Sequence, residues 1–186
     1  EKKLLEIAAG SFRDMATLCK WGIYCEGIDF SDESVNKAKF LFPDLKERIH
    51  TMDAFNLKYD DNYFDLTYHN GFWGYFSDEE IIKLAKEQAR VTKYRMIATV
   101  HNAHNISFKK YFEKLQQTDP LYSLRFFHIE EIKSIMSEVC SKVTIIPVGK
   151  GKKHHEDKMI NLGFGYPTLL DLYFKYSGYR FLEQSE

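Results

Sequence analysis

The stretch that most constrains this chain is residues 4–29: Leu-Leu-Glu-Ile-Ala-Ala-Gly-Ser-Phe-Arg-Asp, a short helical pattern, then Glu-Gly-Ile-Asp. A short, largely apolar run of strand length, as in a strand buried on both faces, leads into the small residues Ala8, Ala9, Gly10 and Ser11. Met15, Leu18 and Cys19 then recur at helical spacing, Gly22 stops the helix as a C-cap, and a second strand closes on Asp29. Strand, tight turn, helix and acid-ended strand make half of a nucleotide-binding α/β unit. The turn lets backbone N–H groups approach a ligand, and the acid can accept from ribose hydroxyls.

The rest of the chain repeats that alternation. Ser31 or Asp32 caps a helix with Val35, Ala38, Leu41 and Phe42 on one face, ended by Pro43. Residues 48–52 read as a third strand closing on Asp53-Ala54-Phe55, and residues 63–69 as a fourth ending in Asn70-Gly71. Ser77 and Glu80 have the spacing of a capping box, ahead of Ile81, Leu84, Ala85 and Gln88 in one stripe. Residues 94–100 read as a fifth strand, followed by His101-Asn102-Ala103-His104-Asn105. The order predicts an α/β, Rossmann-like fold with a mostly parallel sheet flanked by helices.

Past that point the pattern changes. Residues 107–117 and 129–139 read as helices, and β-branched residues 142–148 as an antiparallel edge strand near the C-terminus, with Pro147 favouring the edge. Residues 149–158 read as a charged loop, 159–165 as a last strand and 167–176 as an amphipathic helix. With no internal repeat and no boundary signal, residues 1–186 are expected to form a single domain. Because the chain opens almost directly on a strand, an N-terminal helical segment is expected to be missing.

Charge and composition narrow the function classes. A formal net charge of −1 and a pI near 6.7 give no basic field to draw nucleic acid. No apolar run reaches membrane-spanning length, so no membrane partner is expected. Cys19, Cys25 and Cys140 form neither a paired framework nor a metal motif, which fits a reducing, cytoplasmic setting. His101, His104, His154 and His155 lack a cysteine or carboxylate at diagnostic spacing, so no metal is expected. The oligomeric state is not legible.

Ligands of such sheets bind at the carboxyl ends of the strands. Those ends carry Glu6 and the 8–11 turn, Asp29, Asp53, His69-Asn70-Gly71 and His101-Asn102. A dinucleotide site wants Gly-x-Gly-x-x-Gly, yet those positions read Ala8, Gly10 and Arg13. A cofactor without a phosphate asks less of the turn.

The motifs in order (the 4–14 segment, Glu-Gly-Ile-Asp-Phe-Ser, Met-Asp-Ala-Phe, and Phe-Asp-Leu-Thr-Tyr-His-Asn-Gly) resemble the class I S-adenosylmethionine-dependent methyltransferases, particularly the small-molecule type. The resemblance covers residues 3–105 well and the remainder loosely. It implies S-adenosylmethionine as cofactor, with Glu6 near its methionine end and Ala8, Gly10 and Ser11 as close backbone. Asp29 would hold the ribose hydroxyls with Phe30 against the adenine. Asp53 would accept from the adenine amino group beside Ala54 and Phe55, and Asn70 and Gly71 would meet the methionine moiety. Arg13 is either a partner of the cofactor carboxylate or a solvated first-turn residue. Two positions depart from the family's pattern: its first glycine is Ala8 and its third is Phe12.

Methyl transfer to oxygen or nitrogen of a small-molecule acceptor is the activity this implies, and such acceptors can need a general base. His101 is the first candidate, as it follows the fifth strand, and His69 the second. A binding protein without activity and a nicotinamide-dependent oxidoreductase are the competing readings. The glycine-poor turn speaks against the latter.

Overall fold

The computed structural model describes residues 2–146. Among the described residues two compact units emerge, 2–99 with 135–141, and 100–134 with 142–146. The first holds a five-stranded sheet: β1 (Lys3–Ile7), β2 (Tyr24–Asp29), β3 (Ile49–Thr51), β4 (Phe64–Asn70) and β5 (Thr92–Thr99). The spatial order is β3-β2-β1-β4-β5, and every pair is parallel. Helices α1 (Arg13–Lys20), α2 (Asp32–Leu41) and α3 (Asp78–Val91) lie in the β1–β2, β2–β3 and β4–β5 connections, and a loop joins β3 to β4.

The predicted antiparallel edge strand is not found among the described residues. Residues 142–146 carry no strand assignment, and residues 147–148 lie outside the described residues. β-Branched composition reports that a segment fits a pleated surface, but a strand exists only with a ladder partner, and 142–146 have none among the described residues. The readings for 149–158, 159–165 and 167–176 also lie outside the described residues.

Alternation along the strands sorts side chains into two cores. Leu5, Ile7, Ile28, Leu57, Phe64 and Val91 cluster on one face. Phe12, Met15, Cys25, Val35, Ala38 and Ile49 cluster on the other, beneath α1 and α2. The caps read from the sequence are made: Ser31 accepts from the Ser34 N–H at 3.2 Å, and Ser77 and Glu80 complete a reciprocal capping box. A 3-10 turn at Pro43–Arg48, opened by proline at its first position, shortens the third strand to three residues.

Helix α1 starts in an unusual way. Its N-cap is Phe12, in the left-handed region (φ 56°), and offers no side-chain acceptor. Glu6 of β1 takes over that role, its Oε2 accepting the Met15 N–H at 2.9 Å. The Phe12 ring is fully buried and turned into the core rather than towards a ligand. It lies on Gly27 of β2, where an added Cβ would stand 2.7 Å from Phe12 Cδ1 and 2.8 Å from Met15 Sδ. Bulk at position 12 is therefore accommodated by the absence of bulk at position 27.

Gly27→Ala should destabilise the protein by about 1–3 kcal/mol through overpacking. Adding Phe12→Leu to Gly27→Ala should recover part of that loss, whereas Phe12→Leu alone should be destabilising. Urea unfolding of the four proteins measures the coupling, and strictly additive effects would contradict the interlock.

Candidate functional site

From β1 the chain continues to β2 on one side, while β4 pairs on the other, so the topological switch point lies between β1 and β4. That is where an open parallel sheet offers a crevice at its carboxyl edge. The 8–12 turn stands directly beyond β1, and it alternates into the left-handed region at Ala8 (φ 52°), Gly10 (φ 53°) and Phe12 (φ 56°). Ala8 stands where the family pattern has its first glycine, and alanine there costs little only on ordinary backbone angles. The angles are not ordinary, and an L-residue there is strained by about 1–2 kcal/mol. A Cβ added to Gly10 would meet nothing within 4 Å, so this residue faces open space.

Asp29 locks the turn. Its Oδ2 accepts the Gly10 N–H at 2.8 Å and its Oδ1 accepts the Ser31 N–H at 2.9 Å. A carboxylate has about four lone-pair sites, so each oxygen keeps capacity for a further donor such as a diol hydroxyl. Phe30, the next residue, is 80% exposed, which leaves its ring face available for stacking. Asp53 forms an Asx turn, its Oδ1 accepting the Phe55 N–H at 2.9 Å, and is itself exposed. Ala54 packs against the core, and the half-exposed Phe55 meets Phe76 edge-on at 5.6 Å. Ser11 is exposed in the turn.

On the β4 side, Gly71 (φ 67°) turns the chain and donates its N–H to the Thr99 carbonyl at 2.9 Å. Asn70 donates its side-chain N–H to Asp14 Oδ2 at 2.6 Å, tying the end of β4 to the first turn of α1. Sequence reasoning missed Asp14, because an acid in the first turn of a helix is explained by the helix dipole alone. Tyr68 lies opposite Glu6 in the β1–β4 register and hydrogen-bonds to it, a pairing across strands that sequence spacing does not encode.

Glu6 is buried, and that burial pushes its pKa up to about 7, against the lowering effect of the Met15 N–H and Tyr68 bonds. Asp14 and Asp29 raise it further by charge repulsion. His69 is fully buried with its ring centroid 4.5 Å from that of Trp73. Neither ring nitrogen of His69, nor the Trp73 indole N–H, has a hydrogen-bond partner among the described residues. Burial lowers the pKa of His69 to about 3 and keeps it neutral.

His101 belongs to the second unit, two residues past the end of β5. Its ring lies 5.2–5.9 Å from the rings of Phe108, Phe112 and Phe126, and its carbonyl accepts the Phe127 N–H at 2.8 Å. Helix α4 (Ile106–Leu115) of that unit is capped by Asn105, whose Oδ1 accepts the Phe108 N–H at 3.1 Å. Among the described residues no group of three or more His, Cys, Asp or Glu could hold a metal ion, and no helix is long and apolar enough to cross a membrane.

His69 and Glu6 drive stability in opposite directions with pH. The folded pKa of His69 lies below the unfolded value, so its contribution is complete above about pH 6.5 and is lost on acidification, at up to about 1.4 kcal/mol per pH unit. The folded pKa of Glu6 lies above the unfolded value, so its contribution is complete below about pH 4.5 and is lost as pH rises through 7. Relative to wild type, His69→Phe should therefore gain stability between pH 6.5 and 4.5, and Glu6→Gln should lose it. Urea midpoints at half-unit pH intervals test both, and parallel profiles for all three proteins would contradict the assignment.

Comparison with known proteins bears on this geometry. A family model described as a methyltransferase domain matches residues 5–97, half of the chain. No curated protein matches. Among solved structures, the PH0226 protein of Pyrococcus horikoshii aligns with a TM-score of 0.63 at 18% identity, over 81% of this chain and 78% of its own. The YcgJ protein of Bacillus subtilis aligns at 0.59 and 20% identity, over 94% and 76%. Geranyl diphosphate C-methyltransferase of Streptomyces coelicolor A3(2), solved with S-adenosyl-L-homocysteine, aligns at 0.55 and 14% identity, over 75% of this chain and 52% of its own. These likenesses carry the fold, and the family match over β1 to β5 carries the class: the chain belongs to the methyltransferase-domain family, the S-adenosylmethionine-dependent methyltransferases of class I fold.

Proposed function

We propose that this chain transfers the methyl group of S-adenosylmethionine to a nitrogen or oxygen of a small-molecule acceptor by in-line displacement. The observation that carries the reading is Asp29, held across the switch-point turn by Gly10 and Ser31, with lone pairs left for a ribose diol and an exposed Phe30 beside it. The residues present fit the cofactor. Asp29 and Phe30 take the nucleoside, Asp53, Ala54 and Phe55 its base, and Glu6, Ala8, Gly10, Ser11, Asn70 and Gly71 the methionine half. When bound, the cofactor supplies a methyl group already activated as part of a sulfonium. What the chain adds is position, because an acceptor aligned with the methyl–sulfur bond needs little further activation.

A nitrogen or oxygen acceptor loses a proton as its lone pair takes the methyl. The imidazole of His101 is our choice of proton acceptor. His69 suits the role less, since its ring is closed to solvent and burial makes it a weak base. The structural likeness to a C-methyltransferase of geranyl diphosphate means that the fold does not by itself choose the acceptor atom.

Isothermal titration with S-adenosylmethionine and with its demethylated product should give saturable heat for both, and folded protein giving none would end this reading. Asp29→Ala should weaken cofactor binding by about 2–3 kcal/mol, or roughly 30–150-fold, through loss of charge-assisted hydrogen bonds. His101→Ala should lower kcat and leave cofactor affinity nearly unchanged; equal loss of both would assign it a structural role.

A further inference from the structure

Glu6 is the group in the crevice whose chemistry the reading above leaves unused. It stands one residue before the end of β1, beside the turn, and only 4% of it is exposed. The groups that face it can be named element by element. Helix α1 presents the Met15 N–H and the Asp14 carboxylate, β4 presents the Tyr68 hydroxyl, and β2 presents Asp29 and the Cys25 thiol. All are acids or neutral donors. No cation among them compensates a charge on Glu6, although the carboxylate sits at the switch point where a charged ligand would lie.

Burial pushes Glu6 up to about 7, and the thiol of Cys25 up to about 12, so near neutrality the carboxyl changes charge and the thiol does not. The Met15 N–H bond to Oε2 can be accepted by either protonation state, so ionisation need not undo the start of α1. A cation brought beside such a carboxyl favours its ionised form.

We propose that Glu6 is a charge-sensing specificity residue, which gives up its proton when the cationic methyl donor binds and keeps it when the uncharged-sulfur product is bound. This rests on the cofactor assignment above. S-Adenosylmethionine carries a sulfonium; after methyl transfer the same sulfur is a neutral thioether, while amino and carboxyl groups are common to both ligands. The one charge that differs between donor and product is thus the one that Glu6 responds to. Ionised Glu6 favours donor over product, and it takes its proton back once transfer has removed the sulfonium.

The test is isothermal titration of wild type and Glu6→Gln with S-adenosylmethionine and S-adenosylhomocysteine, in buffers of different ionisation enthalpy, between pH 5.5 and 7. That window lies below the titration of a free α-amino group, about 7.7–8.0. Wild type should release about half a proton per donor bound at pH 7 and more at lower pH, but not on binding product. Its preference for donor over product should rise with pH by up to about tenfold per unit until Glu6 is ionised. Glu6→Gln, which keeps an oxygen to accept the Met15 N–H, should bind both ligands with a flat preference and no extra proton release. If that variant fails to fold, the carboxyl carbon resonance of Glu6 in wild type at pH 6 gives the same answer: it should move to its ionised position with donor and not with product. Both ligands binding without proton release, or the resonance shifting equally with each, overturns the charge-sensing role and leaves the cofactor assignment standing. Heat with neither ligand overturns both.

Discussion

Much of this molecule depends on the seating of Phe12 over Gly27. A left-handed phenylalanine at a helix N-cap is unfavourable on its own, by about 1–3 kcal/mol. It persists because the ring is wholly buried between β2 and α1, in a slot that any side chain at position 27 would fill. With Phe12 drawn inward, the turn must climb out of β1 through Ala8 and Gly10 in the same unusual conformation. That path points the Gly10 N–H at Asp29 and leaves the helix without a cap of its own, so Glu6 supplies one. Core packing on one side of the turn thereby fixes the polar geometry on the other.

The fold was largely legible because its signals are local. Strand runs, the Ser77–Glu80 capping box and the Gly22 stop each act within a few residues, and β1 to β5 appear where their patterns place them. The core partner of Phe12 was not legible. Gly27 is fifteen positions away, and only the pleat of β2 brings the two together. Residues 142–146 form no strand for a complementary reason: β-branched side chains state a preference, but a strand needs a ladder partner, and these residues have none among the described residues.

At the site, residues that act through their own position were readable and residues that act through neighbours were not. Asp29 ends a strand and Gly10 sits in a tight turn, and both placements follow from local sequence. Asp14 matters through Asn70 and Tyr68 through Glu6, contacts made across β4 that no spacing encodes. The sequence ranks His101 ahead of His69 only by which strand end each follows. Burial separates them: one is closed to solvent and pushed towards neutrality, the other lies half-buried among three phenylalanine rings of the second unit.

The same arrangement explains physically why the opening turn suits a phosphate-free cofactor. A dinucleotide's pyrophosphate is held where the first N–H groups of α1 and the helix dipole face an open, glycine-lined turn. Here the Met15 N–H is already committed to Glu6, and Asp14 in the first turn is joined to Asn70 across the mouth of the helix. Asp29 occupies the Gly10 N–H. Three acids stand where a diphosphate would bring two more negative charges, and each has taken, or adjoins, a donor that the diphosphate would need. A ligand with a cationic centre meets the opposite situation, since every one of those acids then contributes attraction. Loss of two glycines from the nucleotide-binding pattern is thus a minor part of what excludes a dinucleotide. The acids around the turn decide it.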